Sequence, residues 1–132
     1  MEYLDGFPFI YDCYMDNWGW ITRSMQSRAA DYITNPHSLY MARELRHPVD
    51  DLKAFLRERG QDVQKTQLFT ADDTLRLQLL HSIGEKFDGL SISSSVSCNV
   101  EINDAHANKG EAIAALAAYL DLPMAQTMAI GD

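Results

Sequence analysis

The chain has 132 residues, 46% of them hydrophobic, which is typical of one soluble, compact domain. Its 19 acidic and 11 basic residues give a net charge of −8, and the scattered basic residues argue against nucleic acid as a partner. With no run near the roughly 18 apolar residues of a membrane span and no secretory signal, we expect a cytoplasmic protein without a membrane partner.

The first 36 residues predict a hairpin followed by a helix. Apolar and polar residues alternate over residues 9–15, as in a strand with one drier face. Turn-forming residues at 16–19 then lead to the apolar pair at 20–21, which completes the hairpin. A helix is predicted over residues 23–33, and Asn35–Pro36 is predicted to close it.

The next segment predicts another helix followed by another strand. Residues up to His47 are ambiguous, and Pro48 is predicted to open a helix that Gly60 ends. Residues 65–69 then read as a strand. This order of strands and helices predicts an α+β fold.

A further helix and two strands are predicted between residues 70 and 102. Thr70 followed by Asp73 resembles a capping box, and an apolar stripe continues to Phe87. A two-residue apolar period over 90–98 and again at 100–102 predicts two strands. We therefore expect an antiparallel sheet with helices on one face.

The character of the sequence changes after Asn103. A polar loop leads through Lys109 and Gly110 into a helix that Pro123 is predicted to stop. The apolar run at 128–132 is predicted to be a buried strand. A buried strand at the last residue suggests a fragment boundary.

Two charged residues of this last segment suggest a phosphate and metal site. Lys109 would stand beside a helix N-terminus, where backbone N–H groups already favour an anion. Asp132 would stand at the carboxyl end of a strand, where ligands and metals bind in open α/β sheets. The same residues also fit an ordinary helix-start lysine and a turn aspartate on the surface.

Three segments resemble the Cof-type haloacid-dehalogenase-like phosphatases. They are Asn99-Val100-Glu101-Ile102-Asn103, Asn108-Lys109-Gly110-Glu111-Ala112-Ile113 and Ala129-Ile130-Gly131-Asp132. They are similar to the end of that family's cap and to its third and fourth motifs. The resemblance is specific over residues 99–132, whereas residues 1–98 are similar in element order only.

The resemblance implies two parts, a substrate-specificity cap at 1–103 and a truncated piece of the Rossmann-like catalytic core at 104–132. It implies that Lys109 is catalytic, that Asn108 and Lys109 bind the substrate phosphate, and that Asp132 holds Mg²⁺. The implied reaction is hydrolysis of a small phosphorylated metabolite through an aspartyl-phosphate.

The sequence departs from this family in one decisive respect. No Asp-x-Asp-Gly-Thr segment occurs, so the nucleophilic aspartate is missing, and we expect the chain alone to be inactive. The alternative is a non-enzymatic α+β binding or dimerisation module. The sequence leaves homo-oligomerisation open in either case.

Other reactive residue types have simpler interpretations. Cys13 and Cys98 form no close-spaced pair, and we expect both to be reduced packing residues. The four histidines lack ligand spacing, although His106 lies just before Lys109. Six aromatic residues between 7 and 20 predict hairpin packing, with a substrate-covering or subunit-pairing surface as the alternative.

Overall fold

A computed structural model describes residues 6–59 and 63–130 of the chain. Its strands are β1 (Ile10–Met15), β2 (Trp18–Thr22), β3 (Arg46–Val49), β4 (Lys65–Phe69), β5 (Leu90–Ser93) and β6 (Asn99–Asp104). Its α-helices are α1 (Arg23–Ser27), α2 (Pro36–Glu44), α3 (Leu52–Arg59), α4 (Asp73–Lys86) and α5 (Lys109–Tyr119). Short 3₁₀ helices cover Ala29–Asp31 and Met124–Gln126.

The six strands form one sheet in the order β3-β2-β1-β4-β6-β5. The predicted hairpin is confirmed, because β1 and β2 pair antiparallel with Met15 opposite Trp18. The α+β fold class is confirmed as well. The sheet is mixed rather than wholly antiparallel, since the edge strand β3 pairs parallel with β2.

One face of the sheet carries the main hydrophobic core. Successive side chains of a strand point to opposite faces, so Tyr11 and Cys13 of β1 share this side. They pack with the buried residues of α3 and α4, and Val100 of β6 belongs to the same cluster. The apolar stripe predicted for α4 is therefore what joins that helix to the sheet.

The opposite face is covered only in part, by α2 and the first 3₁₀ helix. Ile10 and Phe69 of the sheet pack there against Ala29, Ile33 and Ala42. Helices thus contact both faces, which differs from the predicted arrangement on one face. The reason is that the segment 23–44 turns back over the sheet instead of continuing as one helix.

Two prolines have roles that differ from those predicted. Pro36 opens α2 rather than closing a helix, because the Asn35 side chain accepts a hydrogen bond from the Ser38 N–H and caps the new helix. Pro48 lies in β3 and not at a helix start. An edge strand tolerates proline because one side of it needs no ladder hydrogen bond.

Other boundaries also shifted. The helix predicted over 23–33 ends at Ser27 and resumes as a 3₁₀ turn. Asp72 caps α4 by accepting from the Leu75 N–H, while the Thr70 hydroxyl accepts from the Asp72 N–H. The strand predicted over 90–98 ends at Ser93, and Gly60 lies outside the described residues.

The last segment was predicted to be a buried strand, and that prediction is wrong for residues 127–130. These residues pair with no strand, and Met128 and Ile130 are 86% and 92% exposed. A strand needs a neighbour to satisfy its backbone groups, and the six-stranded sheet offers none here. Asp132 lies outside the described residues.

Both cysteines are free and buried, as predicted. Burial raises the pKa of the Cys13 thiol to about 11, although a hydrogen bond with Thr66 opposes the shift. Cys13 therefore stays protonated near neutral pH and acts as a packing residue. No helix within 6–59 or 63–130 is long and apolar enough to cross a membrane.

Candidate functional site

The start of α5 is the first candidate site, and its position confirms the predicted helix start. Asn108 is the N-cap, because its Oδ1 accepts from the Glu111 N–H at 2.9 Å. Its Nδ2 donates to the Ala105 carbonyl and to Glu111 Oε1, both at 3.3 Å. The Asn108 side chain thus fixes the geometry of the helix N-terminus.

Lys109 occupies the first position of α5 and is exposed. It lines an open depression together with His106 and Glu111, whose side chains lie 3.2 Å apart from Nδ1 to Oε2. Among the residues that the structure describes, none forms an ion pair or hydrogen bond with the Lys109 ammonium group. The cation at this helix start is therefore available to an anion.

A metal site is not formed by the described part of the chain. Within it, no group of three or more His, Cys, Asp or Glu side chains could hold a metal ion. The predicted Mg²⁺ ligand, Asp132, lies outside this part, so its relation to Lys109 stays a prediction. The structure brings Asn108 and Lys109 together and adds His106 and Glu111 to them.

A second polar site lies on the partly covered face of the sheet. Asp12 of β1 is fully buried there, and its Oδ2 accepts from Arg46 Nε at 2.6 Å. Arg46 also donates from Nη2 to the Tyr14 hydroxyl and lies over the Tyr14 ring. Burial raises the pKa of Asp12, and the Arg46 charge opposes this. Among the residues that the structure describes, Asp12 Oδ1 has no hydrogen-bond partner.

Gly19 makes this arrangement possible. It is the partner of Arg46 in the parallel β2–β3 register. A Cβ atom placed on Gly19 would lie 2.2 Å from Arg46 Cδ and 2.6 Å from its Nε. The Arg46 side chain therefore passes over β2 in the space that the glycine leaves open, and so reaches from β3 to Asp12 on β1.

We expect Gly19→Ala to lower the free energy of unfolding by about 1–3 kcal/mol, because the methyl group would displace a packed side chain. The expected displacement would also weaken the Arg46–Asp12 ion pair. Urea denaturation followed by circular dichroism measures the change. Gly84→Ala on α4 is the control, since its new Cβ would meet only Ile92 at 3.8 Å, and an equal loss in both variants would contradict the prediction.

A second ion pair, on β4 and β6, adjoins the first. Lys65 Nζ lies 2.6 Å from Glu101 Oε2, and Glu101 Oε1 accepts from Gln67 Nε2 at 3.0 Å and from the Ser95 hydroxyl at 2.6 Å. Burial alone would raise the pKa of Glu101, but the hydrogen bonds from Lys65 and Ser95 outweigh it and lower that pKa. Asn99 Nδ2 also donates to Glu101 Oε1.

The lowered pKa of Glu101 predicts an acid-sensitive contribution to stability. The folded pKa lies below the ordinary value of 4.5, so the contribution is present above pH 4.5 and is lost as the pH falls through the folded pKa. Asp12 has the opposite sign, because its pKa is raised, chiefly by burial, and folding therefore disfavours its charged form. Glu101→Gln should therefore lose less stability than the unmodified protein between about pH 7 and about pH 4.

Urea denaturation at the two pH values measures this difference. The exposed Glu44→Gln is the matched control and should behave as the unmodified protein does. If Glu101→Gln lost as much stability on acidification as the unmodified protein, the assigned role of the Glu101 contacts would be wrong.

This second site was not found from the sequence. The charged residues of its two ion pairs come from four strands, and Asp12 and Arg46 stand 34 positions apart. The available signal was Asp12 within an otherwise apolar strand, since a carboxylate in such a place needs a partner. The identity of that partner depended on β3, which the sequence did not predict.

Comparison with known proteins adds the family. A model of the haloacid dehalogenase-like hydrolases matches residues 10–132, which is nearly the whole chain. The chain belongs to this family. The resemblance seen in residues 99–132 is thereby confirmed at the level of the haloacid dehalogenase-like hydrolases, and no curated protein sequence matches the chain.

Solved structures of this family share the fold. A haloacid dehalogenase-like hydrolase from B. subtilis is 18% identical with a TM-score of 0.71, over 99% of this chain and 51% of that one. A Thermotoga maritima protein is 21% identical with a TM-score of 0.63, over 91% and 42%. A phosphatase of the HAD superfamily from Bacteroides thetaiotaomicron is 15% identical with a TM-score of 0.63, over 96% and 42%.

The chain therefore spans about half of the B. subtilis haloacid dehalogenase-like hydrolase and less of the other two. At these identities the likeness concerns the fold alone. Within the described chain, neither hydrophobic cluster includes a residue after Ile102. The predicted division near residue 103 stays a prediction, and Ala117 of α5 is buried as well.

Proposed function

We propose that the chain is the cap, residues 1–103, and an adjoining core segment, residues 104–132, of a Mg²⁺-dependent phosphatase of the Cof type. The whole enzyme would hydrolyse small phosphorylated metabolites through an aspartyl-phosphate. The observation that carries the proposal is Lys109 at the capped start of α5, in a chain that belongs to the haloacid dehalogenase-like hydrolases.

Lys109 would neutralise the substrate phosphate. Its ammonium group and the N–H groups at the start of α5 place positive charge at one point, where they favour a dianionic ligand. Asn108 would act chiefly by holding the helix start in place, because its side-chain atoms already cap the helix. His106 would stand at the edge of this position, hydrogen-bonded to Glu111.

Asp132 would contribute one carboxylate to Mg²⁺, which in such enzymes reduces the charge of the phosphate and the attacking carboxylate. The described residues do not complete a metal site, and the sequence contains no Asp-x-Asp-Gly-Thr segment. The nucleophile and the other metal ligands would come from the remainder of the intact enzyme. We therefore expect the 132-residue chain alone to be inactive.

Exposed apolar side chains after residue 115 support the same proposal. Leu116, Leu120, Leu122 and Met124 are each about half exposed, and Tyr119 is more exposed still. In a complete catalytic core, such a helix would be covered by a sheet. We propose that these side chains contact the rest of the catalytic domain.

The test compares the 132-residue chain with the intact enzyme in Mg²⁺-dependent hydrolysis of p-nitrophenyl phosphate. We expect turnover by the intact enzyme only, and a loss of about 100-fold or more in its kcat/KM on Lys109→Ala, because a charge facing the phosphate is removed. Arg43→Ala, an exposed cation on α2, is the matched control and should change little.

Two results would contradict the proposal. The first is robust turnover by the chain alone that Lys109→Ala abolishes. This would show that the 132 residues already contain the nucleophile. Unchanged turnover in the Lys109→Ala form of the intact enzyme would remove Lys109 from the active site.

A further inference from the structure

A cavity of about 150 Å³ lies between α2 and the partly covered face of the sheet. Its apolar lining residues are Met41, Phe69 and Val96. Its polar lining includes Tyr14, Arg46 and Gln67. Its volume is below the roughly 300 Å³ at which drug-sized ligand pockets begin, so it fits a fragment of a few non-hydrogen atoms.

The polar lining includes a donor and an acceptor for which no partner is found among the described residues. The Tyr14 hydroxyl accepts from Arg46, and its own hydrogen is donated to no described residue. The Gln67 amide donates to Glu101, and its oxygen has no hydrogen-bond partner among the described residues. A group that both accepts and donates, such as a hydroxyl, matches this pair.

The charges around the cavity are already balanced. Arg46 is neutralised by Asp12, and Glu101 is neutralised by Lys65. An incoming anion would approach two carboxylates, and an incoming cation would find both carboxylates paired. Within this network neither charged ligand gains a free counter-ion, and the other ionisable side chain of the lining, His37, is exposed to solvent, so an uncharged ligand is favoured.

We propose that this cavity binds an uncharged, hydroxyl-bearing small molecule of the polyol class, with its hydroxyl groups on Tyr14 and Gln67 and its carbon skeleton against Met41 and Phe69. This inference goes beyond the proposed phosphatase function and does not depend on it. Arg46 in the polar lining is held in place, because it is hydrogen-bonded to Asp12 and Tyr14 and packs closely over Gly19. Little side-chain ordering is therefore needed on binding.

The probe is glycerol, a polyol of six non-hydrogen atoms, titrated to about 100 mM into the ¹⁵N-labelled chain and followed by two-dimensional ¹H–¹⁵N NMR. A fragment of this size binds in the millimolar range, about 4 kcal/mol, so this concentration reaches saturation. We expect saturable shifts of the amides at residues 38–41 and 95–99, which flank the cavity. Succinate and inorganic phosphate should leave these amides unchanged.

Two variants locate the ligand. Tyr14→Phe removes the donor and should weaken glycerol binding about tenfold, the effect of one lost hydrogen bond. Met41→Phe narrows the cavity without touching the polar network and should weaken it at least as much. Tyr40→Phe, on the exposed side of α2, is the matched control and should bind as the unmodified chain does.

The spectrum of each variant without ligand reports whether it is folded. The proposal is overturned if glycerol produces no saturable shift at these amides, or if both Tyr14→Phe and Met41→Phe bind it unchanged. It is overturned equally if succinate or phosphate shifts these amides and glycerol does not. Each of these outcomes is independent of whether the intact enzyme hydrolyses a phosphate ester.

Discussion

Arg46→Met should lower the free energy of unfolding by about 3–5 kcal/mol, the cost of breaking a buried ion pair by removing one partner. The Arg46 and Asp12 side chains are 4% and 0% exposed, so no solvent could replace the lost hydrogen bond. Asp12 already has one oxygen without a partner, and the variant would leave both oxygens unpaired. Urea denaturation measures the loss.

The matched control for this variant is Arg23→Met. Arg23 is paired with Asp50 at 3.4 Å, and both side chains are largely exposed. Exposed ion pairs contribute at most about 1 kcal/mol, so this variant should change stability little. Equal losses for the two variants would show that burial of the Arg46–Asp12 pair does not determine its contribution.

Leu79→Ala should lower the free energy of unfolding by about 2–5 kcal/mol. Leu79 is 1% exposed and lies on α4, within the main cluster that joins the helices to the sheet. Truncation removes buried methyl groups and leaves a cavity that the strands on one side cannot fill. Thermal and urea denaturation, fitted as two-state transitions, measure the loss.

Leu77→Ala on the same helix separates packing from helix formation. Leu77 is 54% exposed, and alanine has the higher helix propensity, so stability should change by less than about 0.5 kcal/mol. If the two variants were equally destabilising, α4 would be stabilised by its own helical tendency and not by its contact with the sheet.

Local signals in the sequence predicted the elements that depend on neighbours in the chain. The hairpin at residues 10–22 has its turn residues in place, and α4 has both a cap and a continuous apolar stripe. The start of α5 is fixed by Asn108, three positions before the N–H that it caps. These three features were predictable because their determinants lie within a few residues.

The elements that failed depend on distant contacts. A proline that follows asparagine can close one helix or open the next. Here it opens α2, because Asn35 Oδ1 accepts a hydrogen bond from the Ser38 N–H and caps that helix. Whether Pro48 lies in a strand depends on β2, which provides the pairing for β3. The apolar run at 127–130 had the composition of a strand, but no strand lies beside it in the described residues.

The candidate sites divide in the same way. Asn108 and Lys109 are adjacent residues, so a short motif predicted where they would be. The network of Asp12, Arg46 and Glu101 is assembled by the sheet from strands far apart in the sequence, and the sheet order sets which residues meet. Hydrophobic periodicity indicates which face is buried but not which polar residues on the other face become neighbours.

The passage of Arg46 over Gly19 has a consequence for sequence change within the family. A side chain at position 19 and a long side chain at position 46 exclude each other, because they would occupy the same space. A relative without the glycine would therefore need a shorter residue at position 46. It would also need an uncharged residue at position 12, because Asp12 would lose its partner. In an alignment of close relatives, we expect these three positions to vary as a unit, even though no motif connects them.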